Sequence, residues 1–590
     1  MTVHQVVFPV LRGSRRFFVE KGRRWSIIEH LLLDAVNRAP SSAADLAEKS
    51  GLSRRVIVEA FIRLMRAGWV EIAATAEGPL FRSTPIGAIQ ARLDHLPALT
   101  TIMPRWRGFA IEQVTGGVFR GRELDIRPSS RLPVTNDDQV VSYIPASSTV
   151  STGDLGEVFT AIEDEDEVIV GVDRSSAKLS ERWAVVTVRD GQIEGLPGRA
   201  SPALRLLIAA KAMESAESLA KAKDKRNPEI VSVPATVTPV SEMPETSSSV
   251  QALYESGDLI VDGPEHSEAF DRTIRNAKER IIIHSTFITE ARTKSILPAL
   301  LHATEKGARV DILWGQDDIA SGTSSSREAA AGLQNAVVNE GRADSITVHP
   351  FTTNSHAKIL VADNGKGGWR AIVGSCNWLA SDFSSFEASI GLRDPLLVGE
   401  LIQRLALLDR GRPGLWHDLA IEMTVLGRRV ARIPRENGRT VPMRLLFSPD
   451  HIKVVLEARD RAEKRIFVTS HRLGIAGRPV SLLPILSAVK SKDIAAAAYF
   501  GRTTGIFSGT EGADLIREFA HDGVTILPVH RPRLHAKVLG WDDDSLAVSS
   551  FNWLSADPPD AAIHREIGVL VEAPRIADNF IVRFENARLD

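Results

Sequence analysis

Cysteine is almost absent: Cys376 is the single one in 590 residues. An intrachain disulfide and a cysteine-based metal cluster are therefore excluded, and a reducing, cytoplasmic setting is expected. No stretch approaches the ~18 consecutive apolar residues of a membrane span. The apolar stretch near the start is broken by Pro9, and Arg12, Arg15 and Arg16 follow it instead of preceding it, the wrong order for a secretory signal. Excess charge of one sign is also missing. Lys and Arg number 72 and Asp and Glu 74, for a net charge of −2. Nothing global draws the chain to a polyanion, so any nucleic-acid contact must come from a local patch.

The remaining composition is that of a globular protein, with 43% hydrophobic and 25% charged residues. It rules out a wholly disordered or collagen-like chain. At roughly 100–200 residues per domain, three to five domains are expected.

The first ninety residues carry three helical segments and a ribbon. Ile27, Ile28, Leu31, Leu32 and Ala35 form a helical stripe, Ser42 caps a short helix that ends at Gly51, and Ser53 caps a third. The apolar face of the third helix is expected at Val56, Ala60, Ile62, Leu64 and Met65. A strand at Trp69–Ile72 and a second at Phe81–Ser83 follow. From about Arg24 to Leu93 the segment resembles the winged helix-turn-helix family. Residues 1–92 hold 14 Lys and Arg against 8 Asp and Glu. The resemblance implies DNA contact, with Arg54 and Arg55 at the start of the third helix in the major groove and Arg63 and Arg66 on phosphates. The alternative is a packing or partner-contact module with a solvated basic face.

Residues 96–218 read as a small α+β domain of unassigned role. Strands are expected at Gln139–Ile144, Val168–Val172 and Trp183–Val188, a hairpin turn at Asp190-Gly191, and a helix over Pro202–Ser218. The acidic run Glu163–Glu167 reads as a solvated loop. Residues 219–252, rich in Lys, Pro, Ser, Thr and Glu, read as a flexible linker.

The C-terminal half repeats itself. Ala277-Lys278-Glu279-Arg280-Ile281 answers Ala462-Glu463-Lys464-Arg465-Ile466, and Ser355-His356-Ala357-Lys358-Ile359 answers Leu534-His535-Ala536-Lys537-Val538. Gly374-Ser375-Cys376-Asn377-Trp378 answers Ser549-Ser550-Phe551-Asn552-Trp553. The offset drifts from 185 at Arg280/Arg465 to 179 at His356/His535 and 175 at Asn377/Asn552, as loop-length changes between two copies of one domain would give. The copies are placed at 253–425 and 426–590. Each holds His-x-Lys, four residues, Asp (His356, Lys358, Asp363; His535, Lys537, Asp542), then Ser-x-Asn (Ser375, Asn377; Ser550, Asn552) and a later glutamate, Glu387 or Glu566. This half resembles the phospholipase D superfamily, whose signature is H-x-K-x(4)-D followed by G-S-x-N. One departure is Ser549 in place of the usual glycine, which loosens a tight turn.

The resemblance implies a multidomain α/β chain. Two pseudo-symmetric lobes of mixed sheets flanked by helices follow the winged helix and the middle domain. Side chains alternate along a strand, so His356 and Lys358 are expected on one face, with Ser375 and Asn377 alike on a neighbouring strand. In each lobe one imidazole, one ammonium, one hydroxyl and one amide would converge, and two lobes facing each other would bring two His, two Lys and two Asn around one phosphate. No metal is required for this set, and no cofactor is implied. By resemblance His356 is the nucleophile and His535 the general acid and base, Lys358, Lys537, Asn377 and Asn552 hold the phosphoryl oxygens, and Glu387 and Glu566 orient the histidines. Asp363 and Asp542 are expected to tie loops, and Trp378 and Trp553 to pack the cleft floor. The Ser321–Ser326 run lacks a P-loop lysine and reads as a loop capping the helix from Arg327.

The superfamily includes lipases, phospholipid synthases, nucleases, polyphosphate kinases and DNA-repair phosphodiesterases, so fold and motif do not choose the substrate. The basic N-terminal module and the rim His530-Arg531-Pro532-Arg533 beside the second motif favour nucleic acid, DNA first, with Arg531 and Arg533 on neighbouring phosphates. Bacterial defence or DNA processing would suit such an architecture. The rivals are a phospholipase or phosphatidyltransferase, and a DNA-bound regulator that grips phosphate without turnover. A homodimer or a partner protein, through the winged helix or the middle domain, is left open.

Overall fold

The structure is a computed structural model. It describes residues 3–23, 25–75, 78–93, 96–97, 99–136, 139–147, 155–164, 167–173, 178–189, 191–223, 248–316, 325–408, 418–505, 510–556 and 565–589. The chain divides into two compact units, Met1–Ile230 with Gly411–Val425, and Val231–Arg410 with Leu426–Asp590. Residues 418–425, assigned by sequence to the first lobe, thus belong with the first unit.

In the first unit, serine caps set the helix starts. Ser26, Ser42 and Ser53 accept from backbone N–H groups of Ile27–Arg38, Ala43–Ser50 and Arg54–Arg66, and Gly51 ends the second helix in the left-handed region at φ 70°. The strands Val70–Thr75 and Gly78–Ser83 pair antiparallel after them. The core is built on Leu32, Leu33, Val36, Leu46, Ile57, Phe61, Leu64, Trp69 and Phe81. Ile27, Leu31, Val56 and Ile62, expected inside, are exposed. The buried stripe is rotated by about one residue, because Leu33, Ile57 and Phe61 supply the face that packs.

Val3–Arg23 does not join these helices. It is the centre of an eight-stranded sheet, antiparallel to Leu99–Glu112, Lys178–Arg189 and Glu167–Val172 and parallel to Gln139–Tyr143. The division at residue 95 did not anticipate this. From Val10 to Val19 burial nearly alternates, the signature of a strand packed on one face. The acidic run is not a solvated loop where it is described. Glu167 is buried and pairs with Arg107 and Lys21, and Asp164 sits between Arg107 and Arg120. Residues 165–166 and Asp190 of the expected turn lie outside the described residues, as does most of the expected linker. The helix Pro202–Lys223 runs past its expected end at Ser218.

The second unit holds two lobes of one plan. In lobe 1, seven strands run in the order Leu259–Val261, Ala388–Leu392, Trp369–Gly374, Ile359–Asp363, Arg280–Ser285, Arg309–Trp314, Ile346–Val348. Lobe 2 repeats this order with Thr440–Phe447, Ile567–Glu572, Ser545–Ser549, Val538–Trp541, Arg465–Leu473, Ala495–Thr503 and Val524–Pro528. Its eighth strand is Val250–Leu253, antiparallel to Thr440–Phe447. The end of the expected linker is therefore an edge of the lobe 2 sheet. Each lobe has its own apolar core, with Trp314 and Trp378 in one and Trp541 and Trp553 in the other.

Asp363 accepts from the backbone N–H groups of Lys278, Glu279, Arg280 and Gly365, and Asp542 from those of Glu463, Lys464 and Arg465. Each fixes the start of its lobe's Arg280 or Arg465 strand. The described part of the Ser321–Ser326 run begins at Ser325, which caps Ser326–Asn339 in a capping box with Glu328; 321–324 lie outside the described residues.

Ser549 does not loosen a turn. It ends a strand and pairs with Gly568, where lobe 1 pairs Gly374 with Ser389. The small and hydroxyl residues have exchanged strands. A Cβ on Gly568 would come within 2.7 Å of the Ser549 Cβ, and one on Gly374 within 2.3 Å of the Ser389 Oγ. In both lobes the hydroxyl meets a buried imidazole, Ser389 with His266 Nε2 at 2.9 Å and Ser549 with His451 Nε2 at 2.6 Å. Gly568→Ser alone should overpack the site and destabilise the chain by about 1–3 kcal/mol. Adding Ser549→Gly should restore most of it, read as a double-mutant cycle in chemical denaturation.

Candidate active site

The motif residues stand at strand ends. His356 and Lys358 precede Ile359–Asp363, Ser375 and Asn377 follow Trp369–Gly374, and Glu387 precedes Ala388–Leu392. Lobe 2 places His535, Lys537, Ser550, Asn552 and Glu566 the same way. Since neighbouring strands here are antiparallel, the start of one and the end of the next share one sheet edge. This edge, and not the alternation of faces along a strand, gathers the set.

The two edges meet. His535 and Ala536 donate backbone N–H to the Phe386 carbonyl at 2.9 and 2.8 Å, and Phe386 donates to Arg533 O at 2.9 Å. In the mirrored position, His356 N–H reaches the Arg565 carbonyl at 2.6 Å. The segments carrying Glu387 and Glu566 thereby lie against the histidine segments of the opposite lobe.

The carboxylate–histidine pairs are crossed. His535 Nδ1 lies 2.8 and 2.9 Å from the two oxygens of Glu387, and His356 Nδ1 lies 3.2 Å from Glu566 Oε2. The serine hydroxyls, expected to converge with the other groups, bond the carboxylates. Ser375 donates to Glu387 and Ser550 to Glu566, at 2.5 Å for the second. Each serine is fully buried and also accepts the backbone N–H of Ala388 or Ile567. Two chains result, Ser375–Glu387–His535 and Ser550–Glu566–His356, each crossing from one lobe to the other.

The imidazoles are 18% and 19% exposed, enough for both to line one cavity of about 400 Å³. Asn377 and Asn552 line it too, and one end of each carboxamide (Oδ1) is buried without a hydrogen-bond partner. Buried polar atoms are seldom left so; each Oδ1 is an acceptor, which a water or another donor would complete. Lys358 and Lys537 are fully buried and not among the lining residues. Lys358 Nζ donates to Thr286 Oγ1 at 2.5 Å and His356 O at 2.6 Å; Lys537 Nζ donates to His535 O at 2.9 Å and lies 3.3 Å from His535 Nε2. Trp378 and Trp553 sit in the lobe cores and form no part of the cavity floor.

Burial shifts every group toward its neutral form, and the neighbours decide the outcome. Burial would raise Glu387, but the His535 imidazole and the Lys537 ammonium hold it down to about 2. Burial likewise opposes Glu566, which His356 and Lys358 hold to about 2. Burial pushes His535 down to about 4 against the pull of Glu387, and it lowers His356 against Glu566. Burial brings Lys537 to about 8, and burial together with the Lys537 charge takes Lys358 well below the usual lysine range. At neutral pH the site thus holds two carboxylates, a neutral His535 and a Lys537 ammonium close to its titration.

Residues 270–406 match a family model described as cardiolipin synthase, PLD-like domain. That segment is similar to a phospholipase D-like domain. A comparison with curated proteins gives no match. Among solved structures, phosphatidylserine synthase from Haemophilus influenzae Rd KW20 is similar over 58% of this chain and 88% of that one, at 11% identity and a TM-score of 0.42. The phospholipase D family member Nuc from Salmonella typhimurium is similar over 25% of this chain and 92% of its own, at 20% identity and a TM-score of 0.20. A variant of yeast tyrosyl-DNA phosphodiesterase 1 covers 56% of this chain and 90% of its own, at 12% identity and a TM-score of 0.33.

The two lobes also hold residues that motif reading missed. His266 and His451, at the same offset as Arg280 and Arg465, stack near Trp378 and Trp553 at 5.8 and 5.2 Å. His284, fully buried, bonds the Ala357 carbonyl at 2.8 Å and steadies the segment between His356 and Lys358. His471, Arg472 and Arg502 line the cavity beside Arg533, whereas Arg531 does not. Extending the two-copy alignment past Ser285 and Ser470 would have singled out His471 and Arg472. The N-terminal arginines divide as well. Arg54, Arg55 and Arg66 are exposed, with Arg55 paired to Glu59, but Arg63 is held 2.9 Å from the buried Glu29. Arg63 therefore ties two helices, and its expected phosphate contact does not fit that pairing.

Crossing makes a specific prediction. Glu387→Gln removes the carboxylate that raises the pKa of His535, so the His535 imidazole should titrate lower still, while His356, paired with Glu566, should stay within a few tenths. Imidazole nitrogen chemical shifts followed by NMR across pH read this directly; a change at His356 instead would mean that the pairs are not crossed.

Proposed function

We propose that the chain is a metal-independent phosphodiesterase that cleaves nucleic acid, DNA first, through a phosphohistidine. The observation that carries this is the pair of neutral-capable imidazoles, each backed by a buried carboxylate from the other lobe, opening on one cavity. In this reading His356 Nδ1–H donates to Glu566, which leaves Nε2 with its lone pair toward the phosphorus. Nε2 attacks, the P–O bond to the leaving group breaks, and His535 gives that oxygen its proton. The incoming phosphate anion offsets the field of Lys537 and raises His535 toward the protonated state it needs. His535 then takes a proton from water, the hydroxide attacks phosphorus, the P–N bond breaks and the phosphomonoester leaves. Asn377 and Asn552 steady the phosphoryl oxygens, and the two lysine charges favour the anionic transition state.

The helices and ribbon of residues 25–83 serve, in this proposal, as a winged helix that delivers DNA through the exposed Arg54, Arg55 and Arg66. Among the described residues no helix is long and apolar enough to cross a membrane, and no three or more His, Cys, Asp or Glu are grouped to hold a metal ion. A second reading, phosphatidyl transfer, is favoured by the description of the matching family model and by Phe287 and Ile288 on the lobe 1 wall of the cavity.

Labelled DNA, RNA and phosphatidylglycerol, each with EDTA, separate these readings. DNA cleavage that survives EDTA and falls at least 1,000-fold in His356→Ala, in the range of a lost nucleophile (~10³ or more), is the expected outcome. Lipid turnover would favour the second reading, and binding without turnover a DNA-bound regulator. With bis(p-nitrophenyl) phosphate, whose leaving group needs no proton, a denaturing quench at alkaline pH, where a phosphohistidine P–N bond survives, should trap phosphoenzyme in His535→Ala but not in His356→Ala. On the same substrate kcat/KM should fall as pH rises through about 8, because Lys537 acts as a cation and loses its charge there.

A further inference from the structure

The catalytic set is doubled, but the walls above it are not. Strand register equates Ser285 with Ser470 and Trp314 with Phe500, since each pair of parallel neighbours is matched in its own lobe. Phe287 of lobe 1 then corresponds to Arg472 of lobe 2, and Gln316 to Arg502. The motif offset equates Asn354 with Arg533. At three equivalent places lobe 1 is neutral and lobe 2 carries a guanidinium. All three arginines line the cavity that holds His356 and His535, and Phe287 and Gln316 line it from the other lobe.

The arginines are brought together by the fold. Arg472 and Arg502 are register partners on adjacent parallel strands, so they stand side by side at one sheet edge. Arg533 lies two residues before His535, on the segment that bonds Phe386. All three are exposed at the cavity, and Asp382, whose carboxyl is lowered chiefly by hydrogen bonds from Ser384 and also by the Arg533 charge, offsets part of that charge. A single phosphate gripped by a pseudo-twofold site has no need of this asymmetry.

We propose that Arg472, Arg502 and Arg533 form a second anion subsite, which receives the substrate phosphate adjacent to the scissile one and so fixes the direction in which a polyphosphodiester strand lies across the site. This deepens the nucleic-acid reading and rests on it for the identity of the strand. The subsite takes a phosphate mono- or dianion, matched by planar guanidinium donors. The lobe 1 wall, with Phe287 and Gln316, takes the uncharged sugar or base on the other side of the scissile bond. Unequal ends let an otherwise two-sided site present one imidazole, and not the other, to the leaving group.

The test uses the full chain and three small probes, thymidine 5′-monophosphate, thymidine 3′-monophosphate and thymidine 3′,5′-bisphosphate, in titration calorimetry. The bisphosphate should bind at least about tenfold tighter than either monophosphate, the scale of one charge-assisted contact set. The Arg502→Ala/Arg533→Ala variant should bring that ratio close to one, and Arg502→Lys should keep part of it. The ratio cancels any change common to both probes, and the substituted side chains are exposed, so folding is not at issue. A bisphosphate advantage missing from the unmodified chain, or persisting in the double variant, would overturn the subsite. Turnover of bis(p-nitrophenyl) phosphate, run alongside, reports on the diesterase reading separately. An arginine-dependent ratio without any turnover would support the subsite and overturn that reading.

Discussion

A carboxylate buried at the junction of two lobes needs a partner that its own lobe does not supply. Glu387 and Glu566 are almost fully buried, and ionised carboxylates in such places are costly unless paired and hydrogen-bonded. Each is held from below by a serine of its own lobe and from across the junction by a histidine of the other. The pairing is reciprocal, so neither lobe's site is complete alone. The backbone bonds of Phe386 with Arg533, His535 and Ala536 fasten the same seam. Geometry at the reacting centre and cohesion between the lobes are thereby one constraint.

The same seam sets the electrostatics. Two lysines, two histidines and two glutamates share a region where water is scarce, so each charge is felt by the others at an effective dielectric far below that of water. Burial lowers both lysines, and the Lys537 charge lowers Lys358 further, while the glutamates, held down by the histidines and lysines beside them, remain anionic. On the proposed reading, an arriving phosphate would add negative charge beside the lysines and so favour their protonated forms. The buried Lys358 is fixed in place by Thr286 Oγ1 and the His356 carbonyl.

Much of this was legible in the residues because the chain states it twice. His356 and His535, with their lysines and asparagines, were found by setting two copies side by side, and the structure brings the histidines and asparagines to one cavity while the lysines are buried. The crossing of Glu387 and Glu566 was not legible, since an alignment of copies gives equivalence and says nothing about which copy's residue meets which. Ser375 and Ser550 were grouped with the asparagines because spacing shows that they accompany them, not that their hydroxyls bond a carboxylate. Val3–Arg23 was misplaced for a different reason. Its sheet partners lie some 80 to 180 residues away in sequence, and strand pairing at that range leaves no local mark. The stripe on Ile27–Arg38 was off by about one residue because Ile27, Ile28, Leu31, Leu32 and Leu33 are all apolar, and only packing decides which of them turn inward.

The strand Val250–Leu253 has a consequence for how the second unit can be divided. It precedes every strand of lobe 1 in the chain, yet it closes the rim of the lobe 2 sheet beside Thr440–Phe447. Trimming the chain at the start of lobe 1, where composition suggests a natural cut, would bare a long row of backbone donors and acceptors on the remaining eight-residue strand. Such a row is an adhesive edge for any passing extended chain. Those four residues act as a guard strip, and lobe 2 is shielded from self-association by a piece of chain that ribosomal synthesis delivers before either lobe is made.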